Sequence, residues 1–184
     1  MELINNAQSQ LIERCRRGDS RAQYELYQNY VSAMYNVSYR LSGNRFDAED
    51  NLQEAFVKAF QHIRSFKGES SFGTWLKRIV VNQCITQLRK QKRFMHTLSE
   101  KTEFTLVADD DLAIDEKVPM SEVKKAIAAL PEGARIVFTL KAIEEYKFSE
   151  IAEMLGLSES NCKVQYHRSK KLLAAQLKNL VYSD

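Results

Sequence analysis

The stretch that decides the fold is Phe148–Leu173, FSEIAEMLGLSESNCKVQYHRSKKLL. It predicts two helices joined by a tight turn. In the first, Ser149 to Leu155, the apolar Ile151, Ala152 and Leu155 share a face. Gly156 supplies the left-handed backbone that ends such a helix. Leu157 turns back into the corner, and Ser158 is a fitting N-cap for the second helix. Ala152 puts a small side chain where two steeply crossing helices touch. This is the pattern of a helix-turn-helix, whose second helix lies in the DNA major groove.

The second helix divides by geometry. At 100° per residue, Ser160, Lys163, Val164, His167 and Lys171 cluster on one side, with Asn161 and Arg168 at its edge. Cys162, Tyr166, Ser169 and Leu173 lie opposite. One face is basic and hydrogen-bonding, and the other can pack. An amphipathic surface helix with a solvated face would carry the same charges. The Ala-Gly turn in register before it favours DNA.

Working outward, the chain has 184 residues, 44% of them hydrophobic and 28% charged. That composition belongs to a folded chain of one domain or two small ones. Six Gly and two Pro leave room for long helices and few tight turns. The net charge of +3 is unevenly spread. Residues 1–93 hold 15 Lys+Arg and 9 Asp+Glu; residues 94–120 hold 2 and 7; residues 121–184 hold 10 and 8. An acidic connector therefore joins two basic segments. Cys15, Cys84 and Cys162 are far apart, no CxxC pair occurs and the three His are scattered, so neither a disulfide framework nor a metal site is expected. No apolar run is long enough to span a bilayer, and the N-terminal stretch lacks a signal-peptide core. The expected location is cytoplasmic, without membrane insertion.

From the start, residues 5–17 read as a helix, with Gly18 ending it and Asp19 capping the next. That helix, Ser20 to Leu41, carries Ala22, Leu26, Tyr30, Ala33 and Tyr35 to Val37 at helical spacing until Gly43. Asp47 opens a third helix, expected to run to Phe66, with Leu52, Ala55, Phe56, Ala59 and Ile63 as its buried stripe. Its early turns expose Glu49, Asp50, Gln53 and Glu54. These stabilise the helix dipole by about 0.3–1 kcal/mol per charge, or they form a docking face for a basic partner. Composition leaves the two readings level.

A polar loop, Lys67 to Ser71, follows between Phe66 and Phe72. A fourth helix then runs from Thr74 to Lys92. Leu76, Ile79, Val80, Cys84 and Leu88 are apolar, and Arg78, Asn82, Thr86 and Arg89 recur on another side. A basic helix end beside an aromatic loop can hold single-stranded nucleic acid through phosphates and base stacking; a solvated basic C-terminus suits the dipole equally. Residues 94–118 lose helical periodicity and read as an extended, flexible acidic linker closed by Pro119. Helices are expected from Ser121 to Leu130 and from Glu132 to Glu145, the latter with Ile136, Val137, Leu140 and Ile143 packing toward the helix-turn-helix. No strand or hairpin signal appears, so the fold class is all-α, with two small helical domains.

The order DAEDNLQEAFVKAFQHIRSFKGESSFGTWLKRIVVNQCITQLRK, an acidic linker, then AALPEGARIVFTLKAIEEYKFSEIAEMLGL resembles a bacterial RNA polymerase sigma factor of the extracytoplasmic-function group. The resemblance covers about residues 8–92 and 121–177. It implies that residues 1–93 bind core polymerase and the promoter −10 element, 94–120 form the connector, and 121–184 bind the −35 element. Asp47, Glu49, Asp50, Gln53 and Glu54 match the face that docks on the clamp helices of the largest polymerase subunit. Phe66, Lys67, Ser70, Phe72, Arg78, Asn82 and Arg89 match the part that opens and holds the −10 element. Trp75 falls on the family's aromatic position after the loop, with a structural role expected. Lys163, His167 and Arg168 match positions facing the −35 element, and Lys141 a phosphate contact. Ser160, Asn161, Val164 and Lys171 share that helix face. An anti-sigma factor is the implied regulatory partner. The chain departs from related sequences in having Glu145 where they often carry Gly, and Ser160-Asn161-Cys162 where they carry Gly-Thr-Val.

Nothing in the chain supports catalysis: no nucleophile–base pair, phosphate-binding Gly loop or metal cluster is present, so no enzyme activity, cofactor or small-molecule substrate is expected. Two other readings stand beside the first. One is a stand-alone helix-turn-helix regulator with residues 1–93 as a dimerisation or sensor domain. The other is a pure interaction protein. The acidic face combined with the basic loop and helix favours the first.

Overall fold

The computed structural model describes residues 2–90 and 118–181. Among these every regular element is helical and no strand occurs. The chain divides into two compact units, residues 1–87 and 88–184. Most of the expected linker, with its extended character, lies outside the described residues.

The first unit begins with α1 (Glu2–Arg16), followed by α2 (Ser20–Ser42). The turn between them is built as expected. Gly18 takes a φ of +83°, and Asp19 accepts hydrogen bonds from the backbone N–H of Arg21 (2.9 Å) and Ala22 (3.1 Å). The Ala22 N–H, followed by the Arg14 guanidinium, holds the Asp19 carboxyl below the usual carboxylate range. The inward face of α2 is Ala22, Leu26, Met34, Val37 and Leu41. Ala33, expected on that face, is exposed, and Met34 fills the position one step round the helix.

The third helix, α3, spans Arg45–Gln61 and is capped by Asn44 rather than opened by Asp47. The Asn44 Oδ1 accepts from the Asp47 N–H at 2.9 Å, and its Nδ2 donates to the Asp47 carboxylate at 2.7 Å. Asp47 thus belongs to the first turn, where its charge meets the positive end of the dipole. The predicted stripe, Leu52 to Ile63, is buried throughout. The helix stops short of Phe66, however, giving way after Gln61 to a 3₁₀ turn at Ile63–Ser65.

The next helix, α4, spans Phe72–Lys90, and all but its last three residues belong to this unit. Ser71 caps it, its Oγ accepting from the Thr74 N–H at 3.1 Å. Leu76, Val80, Val81, Cys84, Ile85 and Leu88 are buried, while Ile79 is left half-exposed. A polar pin crosses this core. The Ser38 hydroxyl donates to the Ala48 carbonyl at 2.9 Å, leaving its oxygen to accept from the Cys84 thiol at 3.4 Å. Burial also pushes the Cys84 thiol up, keeping it protonated.

Phe66 and Phe72 flank the polar loop but point inward, at 8% and 3% exposure. Their rings meet edge-on at 5.5 Å, and each packs on the half-buried Trp75, at 5.5 and 5.4 Å. Tyr30 of α2 completes the cluster 5.3 Å from Phe72. Arg16 donates to the Phe66 carbonyl, anchoring the loop to α1.

The second unit contains α5 (Met120–Ala128), α6 (Glu132–Phe138), α7 (Phe148–Leu155) and α8 (Glu159–Val181). Its core joins Val123, Ala126 and Leu130 to Phe138, Leu173 and Leu177. The helix expected from Glu132 to Glu145 is not continuous α-helix. After Phe138 it widens into a π-turn at Thr139–Ile143, closed by the Glu144 N–H on the Thr139 carbonyl at 2.9 Å. Glu145 then adopts a φ of +63°, the left-handed conformation that a side chain disfavours.

Two predictions follow from these positions. Glu145 is exposed, so Glu145→Gly relieves backbone strain with little lost packing and raises stability by about 0.5–1 kcal/mol. Urea denaturation measures this, and a loss of stability would contradict it. Phe72→Ala lowers stability by about 3–5 kcal/mol because it opens a core cavity. Unchanged stability would show that the ring does not hold the unit together.

Candidate nucleic-acid interface

The helix-turn-helix is formed by α7 and α8. Its first helix is started by half of a capping box, in which the Glu150 carboxylate accepts the Lys147 backbone N–H at 2.8 Å. Ile151, Ala152 and Leu155 are buried. Gly156 ends the helix at φ +69°, and the Leu157 N–H reaches back to the Ala152 carbonyl at 2.9 Å. Ser158 caps α8, its Oγ accepting from the Asn161 N–H at 3.1 Å.

The packing of α8 fixes its rotation. Cys162, Gln165, Ser169 and Leu173 are buried. Tyr166 stacks on Phe138 at 6.1 Å and meets Phe148 edge-on at 5.7 Å. The Cys162 thiol is pushed up to about 11, burial being the larger cause and the Glu159 charge adding to it, so it stays protonated as a packing group. With that side inward, Ser160, Lys163 and Lys171 are exposed, and Asn161, Val164, His167 and Arg168 are half-exposed. The neighbouring lysines separate. Lys171 is exposed, while Lys170 is buried with its ammonium 5.7 Å from the centre of the Tyr166 ring. Lys141, in the π-turn, lies over the Phe148 ring at 5.0 Å, which brings it beside the start of α7. All eight residues expected at the −35 element thus keep access to solvent, seven of them on one helix.

In the loop before α4 and along α4, Lys67, Ser70, Arg78, Asn82 and Arg89 are exposed. Phe66 and Phe72 are not, so the base-stacking role expected of them is closed off by the aromatic core. A groove of about 290 Å³ runs between the end of α3 and the middle of α4, lined by Lys58, His62, Ser65, Trp75, Ile79, Asn82, Gln83 and Thr86. The aromatic surface available there is Trp75. Sequence reasoning found Asn82 but missed Lys58, His62 and Gln83. The i, i+4 pair Lys58–His62, on the side of α3 away from its apolar stripe, was the available signal for two of them. Gln83 is buried, three residues after Val80 and seven after Leu76 and so in phase with the apolar stripe, although its polar side chain hides it from a reading by residue type.

On α3, Asp50, Gln53 and Glu54 are exposed. Glu49 is half-exposed and accepts from the Arg45 guanidinium at 2.7 Å, while Asp47 is engaged with Asn44. The acidic face therefore presents three open side chains and two that are partly committed.

Among the described residues no group of His, Cys, Asp and Glu could hold a metal ion, and no helix is long and apolar enough to cross a membrane.

Comparison with known proteins accords with this geometry. The Sigma-70 region 2 family model matches residues 26–94, and the Sigma-70 region 4 model matches residues 120–173. The ECF RNA polymerase sigma factor SigW of Bacillus subtilis is 34% identical over 179 residues, spanning 92% of this chain and 96% of that protein. The ECF RNA polymerase sigma-E factor of Escherichia coli is 29% identical over 184 residues, covering 93% and 94%. In fold, the chain resembles the sigma factor RpoE of Bartonella quintana, solved in complex with the anti-sigma factor NepR, with a TM-score of 0.52 and 22% identity over 84% of this chain and 96% of that one. The chain belongs to the ECF group of RNA polymerase sigma factors, transcription initiation factors that direct core polymerase to promoters.

Proposed function

We propose that the two units divide the sigma factor's work residue by residue. Residues 1–93 dock on core polymerase and hold the −10 element, 94–120 connect, and 121–184 read the −35 element. The observation that carries this reading is the rotation of α8, with Cys162, Ser169 and Leu173 inward and the basic, hydrogen-bonding side chains outward. Lys163, His167 and Arg168 face base edges in the major groove, where a good bidentate contact is worth about 1–3 kcal/mol of discrimination. Ser160, Asn161, Val164 and Lys171 complete that face, and Lys141 meets a phosphate. On α4, Arg78 and Arg89 hold the backbone of the opened strand, Lys67 and Ser70 approach it from the preceding loop, and the groove beside Asn82 accepts an unstacked base. Asp50, Gln53 and Glu54, with Asp47 and Glu49, dock on the clamp helices of the largest subunit.

The protein acts by binding, without catalysis of its own, in the cytoplasm where polymerase works. An anti-sigma factor covering the polymerase-binding surfaces is the regulatory partner, in keeping with the Bartonella quintana RpoE seen with NepR. A stand-alone regulator would need a palindromic site and a dimer, and nothing in the two-unit match favours that.

Two substitutions separate the assignments. Lys163→Ala with Arg168→Ala lowers transcription from a promoter that depends on its −35 element about tenfold or more, and core affinity is unchanged in a pull-down with purified polymerase. Equal loss of core binding would refute the division of labour. Glu54→Lys does the reverse, weakening the complex with core at least severalfold. Retained affinity would remove α3 as the docking face.

A further inference from the structure

Lys141 stands apart from the other side chains assigned to the −35 element. It lies in the π-turn Thr139–Ile143 rather than on α8, and it is half-exposed. Among the described residues no ion pair holds its ammonium, which instead sits 5.0 Å from the centre of the Phe148 ring. The kind of holder matters for a phosphate contact. A carboxylate would fix the ammonium by cancelling its charge, and an incoming phosphate would have to displace it. A phenyl ring attracts the cation through its quadrupole, offers no hydrogen-bond acceptor and leaves the three N–H donors available. It also restricts a long, flexible stem before DNA arrives, which lowers the ordering cost at the moment of binding.

The ring is itself held. Phe148 is the first residue of α7, and its ring meets Tyr166 of α8 edge-on at 5.7 Å. Tyr166 stacks on Phe138 at 6.1 Å, and the buried Lys170 lies over it with its ammonium 5.7 Å from the ring centre. Phe138 is the last residue of α6, directly before the π-turn that carries Lys141. Lys141 and the outward face of α8 are therefore referred to the same three rings.

We propose that Phe148 is a positioning residue for the −35 contact: its ring holds the Lys141 ammonium ready for a backbone phosphate, in register with the bases that α8 reads. Phe148 acts through the lysine and not on the DNA. The inference rests on the assignment of Lys141 to a phosphate, and it adds what aims that side chain.

The test titrates holoenzyme, assembled from the full chain and core polymerase, onto promoter DNA carrying a −35 element, across a salt series. Lys141→Met keeps the stem and removes the charge. It weakens binding and flattens the slope of log affinity against log salt by about 0.9, the counterion release of one phosphate. Phe148→Leu keeps apolar bulk and removes the ring. It weakens binding about two- to fivefold, the scale of an exposed cation–ring contact, and flattens the slope in the same direction. With Lys141→Met already present, Phe148→Leu has no further effect, because no ammonium is left to position. Phe148→Tyr, which keeps the ring, retains wild-type affinity. A Phe148→Leu loss of equal size in both backgrounds, as from a ring that only packs α7 on α8, overturns the inference. So does no loss in either background, or a Phe148→Tyr loss as large as that of Phe148→Leu. Failure of the underlying assignment looks different: Lys141→Met itself then leaves both affinity and salt slope unchanged.

Discussion

The second unit depends on the phase of one helix. The apolar and small side chains of α8 must leave water, and Cys162, Ser169 and Leu173 occupy a stripe that only one rotation can bury. Apolar burial is directionless and proportional to area, yet a stripe at helical period converts it into an angle. Once that angle is set, Lys163 and Lys171 are carried outward and Lys170 inward without any interaction of their own having decided it. Tyr166, held between Phe138 and Phe148, reinforces the angle through ring packing. The Gly156 turn then fixes where the N-terminal end of α8 lies relative to α7. That end is the one a helix-turn-helix offers to base edges.

The first unit uses the same constraint for a different purpose. Leu76, Val80, Cys84 and Leu88 set the phase of α4, and Arg78, Asn82 and Thr86 follow on the open side. Here the loop before the helix needs separate restraint because Lys67 to Ser71 has no apolar content. Phe66 and Phe72 provide it by entering the core at either end of the loop, with the Arg16 guanidinium tying the Phe66 carbonyl to α1. The loop is thus a polar span between two buried anchors. The rigidity that a binding loop requires comes from aromatic residues that do not themselves reach the surface.

Much of this was legible in the sequence where a periodic stripe and a punctuating residue agreed. The α3 stripe, the Asp19 cap, the Gly43 and Gly156 stops and the Ser158 cap all have that double support. The misreadings fall where two residue types compete for one role. Asn44 and Asp47 are both good caps three residues apart, and only the backbone of Asn44, extended at φ −144° and ψ 158°, decides between them. Phe66 and Phe72 have the composition of a base-stacking pair and of a core anchor alike. The π-turn at Thr139–Ile143 has no sequence signature, although Glu145 in a position that related sequences often give to Gly marked the left-handed residue that follows it. Gln83 is in phase with the apolar stripe of α4, but its polar type conceals that, and the partner of its amide oxygen, Lys58, is 25 residues away in sequence.

In the proposed division of labour, two surfaces on one chain meet two different parts of one promoter. Site-specific photocrosslinking of the full chain in its complex with core polymerase and promoter DNA tests it most directly. The probe is placed at position 163 on α8 in one preparation and at position 82 on α4 in another. Crosslinks are expected from position 163 to duplex DNA at the −35 element and from position 82 to the non-template strand of the −10 element, both requiring core polymerase. Crosslinks from both positions to the same segment, or crosslinks of equal yield and position without core polymerase, would contradict it.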